Sequence, residues 1–297
     1  MELTQLRAVI AVAEGGNFTR ASERMNISQP SLSQQILNLE KELNQKLFHR
    51  LGRKAVLTEV GSAFLERARR IIFESESAVK ELSDSPTLAR QITVGAIATL
   101  APYLMPALIT RCRKRFPNLE INIHEDFKGR LIRGVLDGEL DLAIVALPAE
   151  EPRIHTEVLL KEPLLLAIGK THPLARKAKI TAADLAHETF AMLGTSSSLT
   201  AQIQSFCGDH HFEPKIGFRC SQIATVKSIV GLGLGVAILP RVVRSPEDDA
   251  DIDYIRLADA KPFREIGVLR HMQRYQSRGA EQFLSVLRER AGELVAH

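Results

Sequence analysis

The chain has 297 residues, 45% hydrophobic and 25% charged, with a net charge of +4 and a pI near 9.0. It is long enough for two or three compact units and too apolar to be disordered, and so mild a positive balance does not by itself mark a nucleic-acid binder. Cys112, Cys207 and Cys220 are an odd set without CxxC spacing, which argues against a disulfide scaffold, and no export signal or membrane span is legible, so a cytoplasmic protein is expected.

Leu3, Leu6, Val9, Ile10 and Ala13 recur at helical spacing and predict a helix over about 4–14, with Thr4 placed to cap it and Gly15 and Gly16 ending it. Asn17 then caps a short helix through Met25, and Asn26 and Ile27 make a tight turn. Ser28 caps a third helix whose Pro30 falls in the first turn, where a missing amide is tolerated. This helix buries Leu32, Ile36, Leu39 and Leu43 and offers Gln29, Ser31, Ser33, Gln34, Gln35 and Asn38 on its other face. An ordinary solvated face carries Glu and Lys. Amides and hydroxyls suit base edges instead, since one Gln reaches N6 and N7 of adenine together. Helix, tight turn and polar second helix is the layout of a DNA-reading helix-turn-helix. The competing reading is a surface helix that is merely rich in Gln and Ser. Against it stands the next stretch, where Lys46, Arg50, Arg53 and Lys54 precede Glu59 with no acid between. Gly52 sits in a hairpin turn with a returning strand at 55–58, which makes a basic wing suited to phosphate or the minor groove.

Phe64, Ala68, Ile71, Ser75, Ala78 and Leu82, with Leu65, Ile72 and Val79 beside them, put an apolar stripe along one helix over about 59–82. Such a stripe requires a partner, either a second copy or its own domain. Residues 83–89 are polar and hinge-like, with Pro86. Beyond them apolar strands at 92–97, 119–125, 141–147, 164–169, 189–193, 215–220, 235–240 and 266–271 alternate with helices over 103–116, 131–136, 224–230 and 277–290. That alternation predicts an α/β body with parallel sheets flanked by helices.

Two stretches place hydroxyls at helix starts, where an anion is favoured: 97–100 with Thr99, and Thr195 to Thr200. Simple N-capping is the alternative for both. Gly231, Gly233 and Gly235 alternate but do not form GxGxxG, and they follow a helix. Cys207, His210, His211 and Cys220 carry metal-donor types without a compact spacing, and Cys112 and Cys220 read as buried inert thiols. With no GxSxG elbow, HExxH or phosphate loop, no enzyme, cofactor or metal is expected.

The N-terminal pattern resembles the winged helix-turn-helix of LysR-type transcriptional regulators. It is carried by Leu6, Val9, Val12, Ala13, Glu14, Phe18, Ala21, Ser22, Ser28 to Ser33, Ile36, Leu39, Glu40, Leu43, Leu47, Phe48, Arg50, Arg53, Leu57, Thr58 and Gly61. The resemblance implies a winged helix-turn-helix over 1–58, a dimerisation helix and hinge over 59–89, and a regulatory body over 90–297. The body would hold two periplasmic-binding-protein-like lobes, one of about 90–161 plus 266–297 and the other of about 162–265. Phe18, Thr19, Arg20, Ser28, Gln29, Pro30, Ser31, Ser33, Gln34, Arg50, Arg53 and Lys54 would meet double-stranded DNA at an interrupted palindromic promoter site. The chain would form a homodimer through 59–82 and then a tetramer, with RNA polymerase as a further partner. An effector would lie between the lobes near Thr99, Lys128, Ser196, Ser197 and Thr200.

Further matches resemble the peroxide-sensing OxyR branch of the family, among them Ala101 to Leu104, Phe116-Pro117, Glu162 to Ile168, His172-Pro173 and Phe218-Arg219. In that register Cys207 takes the resolving position, and Ser198 stands where the peroxidatic cysteine would be. Serine cannot supply the thiolate that attacks peroxide. Ser197, Thr200 and Lys128 also depart from the branch pattern, whereas Thr99 keeps it. Two expectations follow from the resemblance. One is a hydrogen-peroxide-responsive activator held in its reduced state, with Ser198 a deliberate replacement. The other is a natural relative that answers to a small anionic carboxylate.

Overall fold

The computed structural model describes residues 1–51, 54–83 and 90–296. The chain divides into two compact units, Met1–Pro86 with Leu136–Glu139, and Thr87–Val135 with Leu140–His297.

The first unit contains α1 (Leu3–Gly15), α2 (Phe18–Arg24), α3 (Gln29–Leu43), β1 (Phe48–Leu51), β2 (Lys54–Leu57) and α4 (Glu59–Ser83). Thr4 lies inside α1 and does not cap it; the cap is Glu2, whose amide donates to the Gln5 side chain at 2.8 Å. Asn17 accepts from the Arg20 amide at 2.7 Å and Ser28 from the Ser31 amide at 3.3 Å, so both expected caps form. Val9, Val12, Leu32, Ile36, Leu39 and Leu47 are buried in one core. The wing is a two-stranded antiparallel hairpin in which Phe48 pairs with Leu57.

Two devices join α3, the wing and α4. Glu40 is buried, and its carboxylate accepts the amides of Leu47 at 2.8 Å and Phe48 at 3.2 Å while pairing with Lys46 at 2.9 Å. Thr58 donates to the Lys46 carbonyl at 2.7 Å and accepts from the Gly61 amide at 2.8 Å, which caps α4. A Cβ on Gly61 would lie 2.0 Å from the Leu47 carbonyl oxygen, so only glycine permits this approach.

The apolar stripe of α4 serves two surfaces. Ala68 and Ile72 pack with Leu6 of α1, and Leu65 joins the main core. Val60, Ile71 and Val79 remain 45%, 40% and 61% exposed. Packing on its own domain therefore accounts for one half of the predicted stripe and leaves the other uncovered.

The second unit is built on β3 (Arg90–Ala96), α5 (Ala101–Arg115), β4 (Leu119–Glu125), α6 (Lys128–Asp137), β5 (Leu142–Ala146), β6 (Ile154–Gly169), β7 (Thr189–Leu193), α7 (Ser198–Asp209), β8 (Lys215–Cys220), α8 (Ile223–Gly231), β9 (Ala237–Pro240), β10 (Ile252–Ile255), β11 (Phe263–His271) and α9 (Arg278–Ala296). β3 pairs in parallel with β4 and β5, and β11 runs antiparallel to β5 and β6. β6 is the spine. Its first part pairs with β11, and its last part pairs with β9 and β10. Pro163 sits where pairing passes from one set of partners to the next, a position that asks for no amide donor. β7 and β8 form a parallel pair, tied by a Phe190–Val236 bridge to the residue before β9. The strand expected at 164–169 is thus the second half of a longer one, and β10 was not foreseen. Among the described residues no helix is long and apolar enough to cross a membrane.

Candidate functional site

Two places in the described residues present side chains in functional arrays. The first is the free face of α3. Ser28, Gln29, Pro30, Ser31 and Gln34 are exposed and Ser33 is partly so. The Gln34 amide donates to the Asn38 side chain at 2.7 Å, which orders the row along the helix. Thr19 and Arg20 are exposed at the start of α2, and Lys54 is exposed on the wing. Phe18 differs from the expectation: its ring is half-buried and packs edge-on against Phe48 at 6.1 Å, so it supports the wing instead of facing outward. Arg53 and the side chain of Arg50 lie outside the described residues.

The second place is a cavity of about 320 Å³ in the second unit. Four chain segments that lead into helices meet at its wall. Ile97, Ala98 and Thr99 precede α5, Asp126 to Lys128 open α6, Ser196 to Ser198 open α7, and Cys220 and Ser221 precede α8. Each helix brings its positive end to this wall, although the first-turn amides of α5 are already taken, Ala101 by the Ile97 carbonyl at 2.9 Å and Tyr103 by the Leu100 carbonyl at 3.1 Å. The amides of Ser198, Leu199 and Thr200 have no acceptor among the described residues. Two cationic side chains add to this field. Arg219 lines the wall, and Lys128 is held over it by donating to the Pro148 carbonyl at 2.9 Å. Burial pulls the Lys128 ammonium below its ordinary pKa, and the carboxylate on this wall, Asp126, is engaged by the Phe127 amide at 2.7 Å and by Arg130 at 3.4 Å. Phe127 and Leu193 supply apolar wall.

Of the residues expected here, the structure brings together Thr99, Lys128, Ser196, Ser197 and Ser198. Thr200 is a correction. It is buried, and its hydroxyl donates to the Leu193 carbonyl at 3.0 Å, so it fastens α7 to β7 and does not line the cavity. Cys207 is also away from the wall. It is fully buried on α7, nine positions beyond Ser198, which is about 13 Å of helical rise. Burial pushes its thiol up to about 11, as it does for Cys112, and raises Cys220 too. Cys220, expected as a buried thiol, is buried and also lines the cavity.

A buried network behind Thr99 was missed altogether. Arg264, at the start of β11, has a side chain with no exposed surface and pairs with Glu162 on β6 at 2.7 Å. Its other nitrogens donate to the Thr99 hydroxyl at 2.7 Å and the Thr99 carbonyl at 3.3 Å. Glu162 also accepts from the Val242 amide at 2.7 Å. Thr99 is therefore an anchored part of the cavity wall whose hydroxyl proton is still free to be donated. The signal for Arg264 in the sequence is slight: one Arg between Phe263 and Glu265 reads as an ordinary strand-edge charge. Arg219 could have been found, since it ends a strand just before a helix start, where ligands of α/β sheets gather. Among the described residues no group of three His, Cys, Asp or Glu is placed to hold a metal ion.

Comparison with known proteins covers both sites. The bacterial regulatory helix-turn-helix protein, lysR family, matches residues 3–62, and the LysR substrate binding domain matches residues 86–292. The DNA-binding transcriptional dual regulator OxyR of Escherichia coli is 33% identical over 272 residues, covering 91% of this chain and 89% of that protein. A probable RuBisCO transcriptional regulator of Trieres chinensis is 34% identical over 295 residues, 96% of each chain. Among solved structures, a full-length OxyR variant from Pseudomonas aeruginosa superposes with a TM-score of 0.77 at 29% identity, covering 98% of this chain and 94% of that one.

Proposed function

The chain belongs to the LysR family of bacterial DNA-binding transcriptional regulators, and from that premise we propose that a small carboxylate in the 320 Å³ cavity sets how it acts on DNA. The observation that carries this reading is the meeting of four helix starts with Lys128 and Arg219 around one water-sized to metabolite-sized space. Such a field stabilises an anion and repels a cation. Hydroxyls at 196–198 and Thr99 add neutral donors that can tell one carboxylate from another. The exposed amides of α3 read the operator, with Arg20 and Lys54 on phosphate. The likeness to the Trieres chinensis relative, a probable RuBisCO transcriptional regulator, over nearly the whole chain keeps the resemblance from being confined to peroxide regulators.

A second reading has its own support. Ser198 is the first residue of α7 and faces the cavity. A thiol there would be held ionised by the helix end, as a peroxide sensor requires. With the OxyR likeness this supports a peroxide-responsive activator held reduced by serine. DNA footprint length, measured on the chain and on Ser198→Cys with and without peroxide and with a panel of small carboxylates, separates the two. A change in the unaltered chain with a carboxylate upholds the first. A change only in Ser198→Cys with peroxide upholds the second.

In either reading the protein acts in the cytoplasm as a homodimer through α4, paired into a tetramer on an interrupted palindrome and within reach of RNA polymerase. The uncovered residues Ile71 and Val79 are the contact, in place of Leu65 and Ile72, which face their own core. Ile71→Glu with Val79→Glu lowers the sedimenting mass; an unchanged mass places the interface elsewhere.

A further inference from the structure

A second cavity, of about 570 Å³, opens between α5, α8 and the 246–250 turn, and nothing in the reading above uses it. Its chemistry is the reverse of the first. Glu247, Asp248 and Asp251 line it, with Lys227 as the one basic residue of the wall. Lys227 is already committed: it pairs with Asp248 at 2.6 Å and donates to the Val243 carbonyl at 2.9 Å. Asp248 is likewise engaged, its Oδ2 accepting from the Tyr254 hydroxyl at 2.8 Å and the Ser245 amide at 2.9 Å as well. That buried pair is neutral and structural. It leaves Glu247 and Asp251, both exposed and in no ion pair among the described residues, although a hydrogen bond from the Ser245 side chain and the nearby Lys227 hold the Glu247 carboxyl below its ordinary pKa.

Three further features share this wall. The C-terminal turn of α8, ending at Gly231 and Leu232, adds the negative end of its dipole. Tyr103, half-buried in the first turn of α5, turns an aromatic ring into the space, and its hydroxyl has no hydrogen-bond partner among the described residues. Ala224, Leu232 and Ile252 make the rest of the surface apolar. Two carboxylates outside any ion pair, a helix C-terminus, an aromatic ring and an aliphatic floor are together complementary to a protonated amine on an apolar stem. A bare divalent cation would use neither the ring nor the floor.

We propose that this cavity is a second small-molecule site, which takes an aliphatic amine through Glu247, Asp251 and Tyr103. Because Tyr103 lies on α5 and the acids lie against α8, the amine would touch the two helices whose leading segments line the first cavity.

The test is calorimetric titration of the full-length protein with cadaverine, and with pentanol as its neutral counterpart. Saturable binding of one cadaverine per chain and none of pentanol is expected. Glu247→Gln with Asp251→Asn, both at exposed positions, should weaken it roughly tenfold or more. Tyr103→Leu should weaken it several-fold through the lost ring. Absence of saturable binding, equal binding by the double variant, or complete displacement by magnesium chloride at matched ionic strength would overturn the site. So would a fall in sedimenting mass of the double variant, which would mean that a basic side chain of a second copy occupies the cavity.

Discussion

The free face of α3 and the first cavity are built from opposite materials. On α3 the groups proposed to meet bases are side chains, exposed, uncharged and held only by their own helix. In the cavity most of the field comes from backbone, the starts of four helices, and the best-placed side chain, Thr99, is locked from behind by Arg264. A base-reading surface can therefore change its preference one residue at a time with little cost to folding. The cavity cannot: its dipoles are not removable singly, and its anchoring side chains are also structural.

Arg264→Met should separate these two behaviours most sharply. It strands the Glu162 carboxylate in a buried site, at a cost of about 3–5 kcal/mol. Chemical denaturation should show that loss in the second unit, and effector response should go with it. Glu162→Leu added to Arg264→Met should recover part of the stability, since burying neither charge avoids the penalty. If Arg264→Met alone leaves the denaturation midpoint unmoved, the anchoring role is wrong. No α3 surface substitution should approach this size.

The thiols offer the next test. Cys207 and Cys112 are each pushed to about 11 from an ordinary value near 9. Unfolded thiols release their protons first as pH rises, so the folded state binds more protons between those values and loses stability across that window only. Thiolate absorbance should rise near pH 11 in the native protein and near pH 9 in urea. A native titration close to the ordinary value would restore Cys207 as a candidate for redox chemistry.

How much of each region could be read in advance follows from the same contrast. Local signals announce α3: Ser28 and Pro30 punctuate it, Leu32, Ile36 and Leu39 set its period, and its polar face is visible as composition. β7 and β8 were legible for the same reason, as short apolar runs bounded by polar turns. The cavity is legible only in part. Ser196 to Ser198 and Thr99 stand at predicted helix starts, but Thr200 could not be told from them, because helical phase alone decides which hydroxyl turns back to Leu193. The Glu162–Arg264 pair joins residues 102 positions apart, and nothing local to either marks it. β6 was half seen because Pro163 reads as a strand breaker until its change of partners is known.

Gln29→Ala tests the claim that α3 can be altered cheaply. It should cost about 1–3 kcal/mol of discrimination at one base pair of each half-site and leave the denaturation curve unchanged. An equal loss on every sequence would mean that Gln29 positions the helix and does not read a base. Lys128→Met is the cavity counterpart. It should weaken a carboxylate effector by about tenfold, with no change in operator affinity when the effector is absent. The residual affinity is informative, because the helix starts remain; complete loss would mean that the backbone field contributes little.

Lys54→Ala should give the smallest effect. Lys54 is exposed at the start of β2, and a charge proposed to meet phosphate carries no sequence preference of its own. Removing one phosphate contact should lower the slope of log affinity against log salt by about one unit and weaken all operators alike. Competition between specific and non-specific DNA should therefore be unchanged. If the slope stays constant, Lys54 is not on the phosphate backbone, and the polar face of α3 must be supplied with its electrostatic grip from Arg20 at the start of α2. A changed preference among operators would place the wing in a groove as a reader, and the division between reading helix and gripping wing would fail.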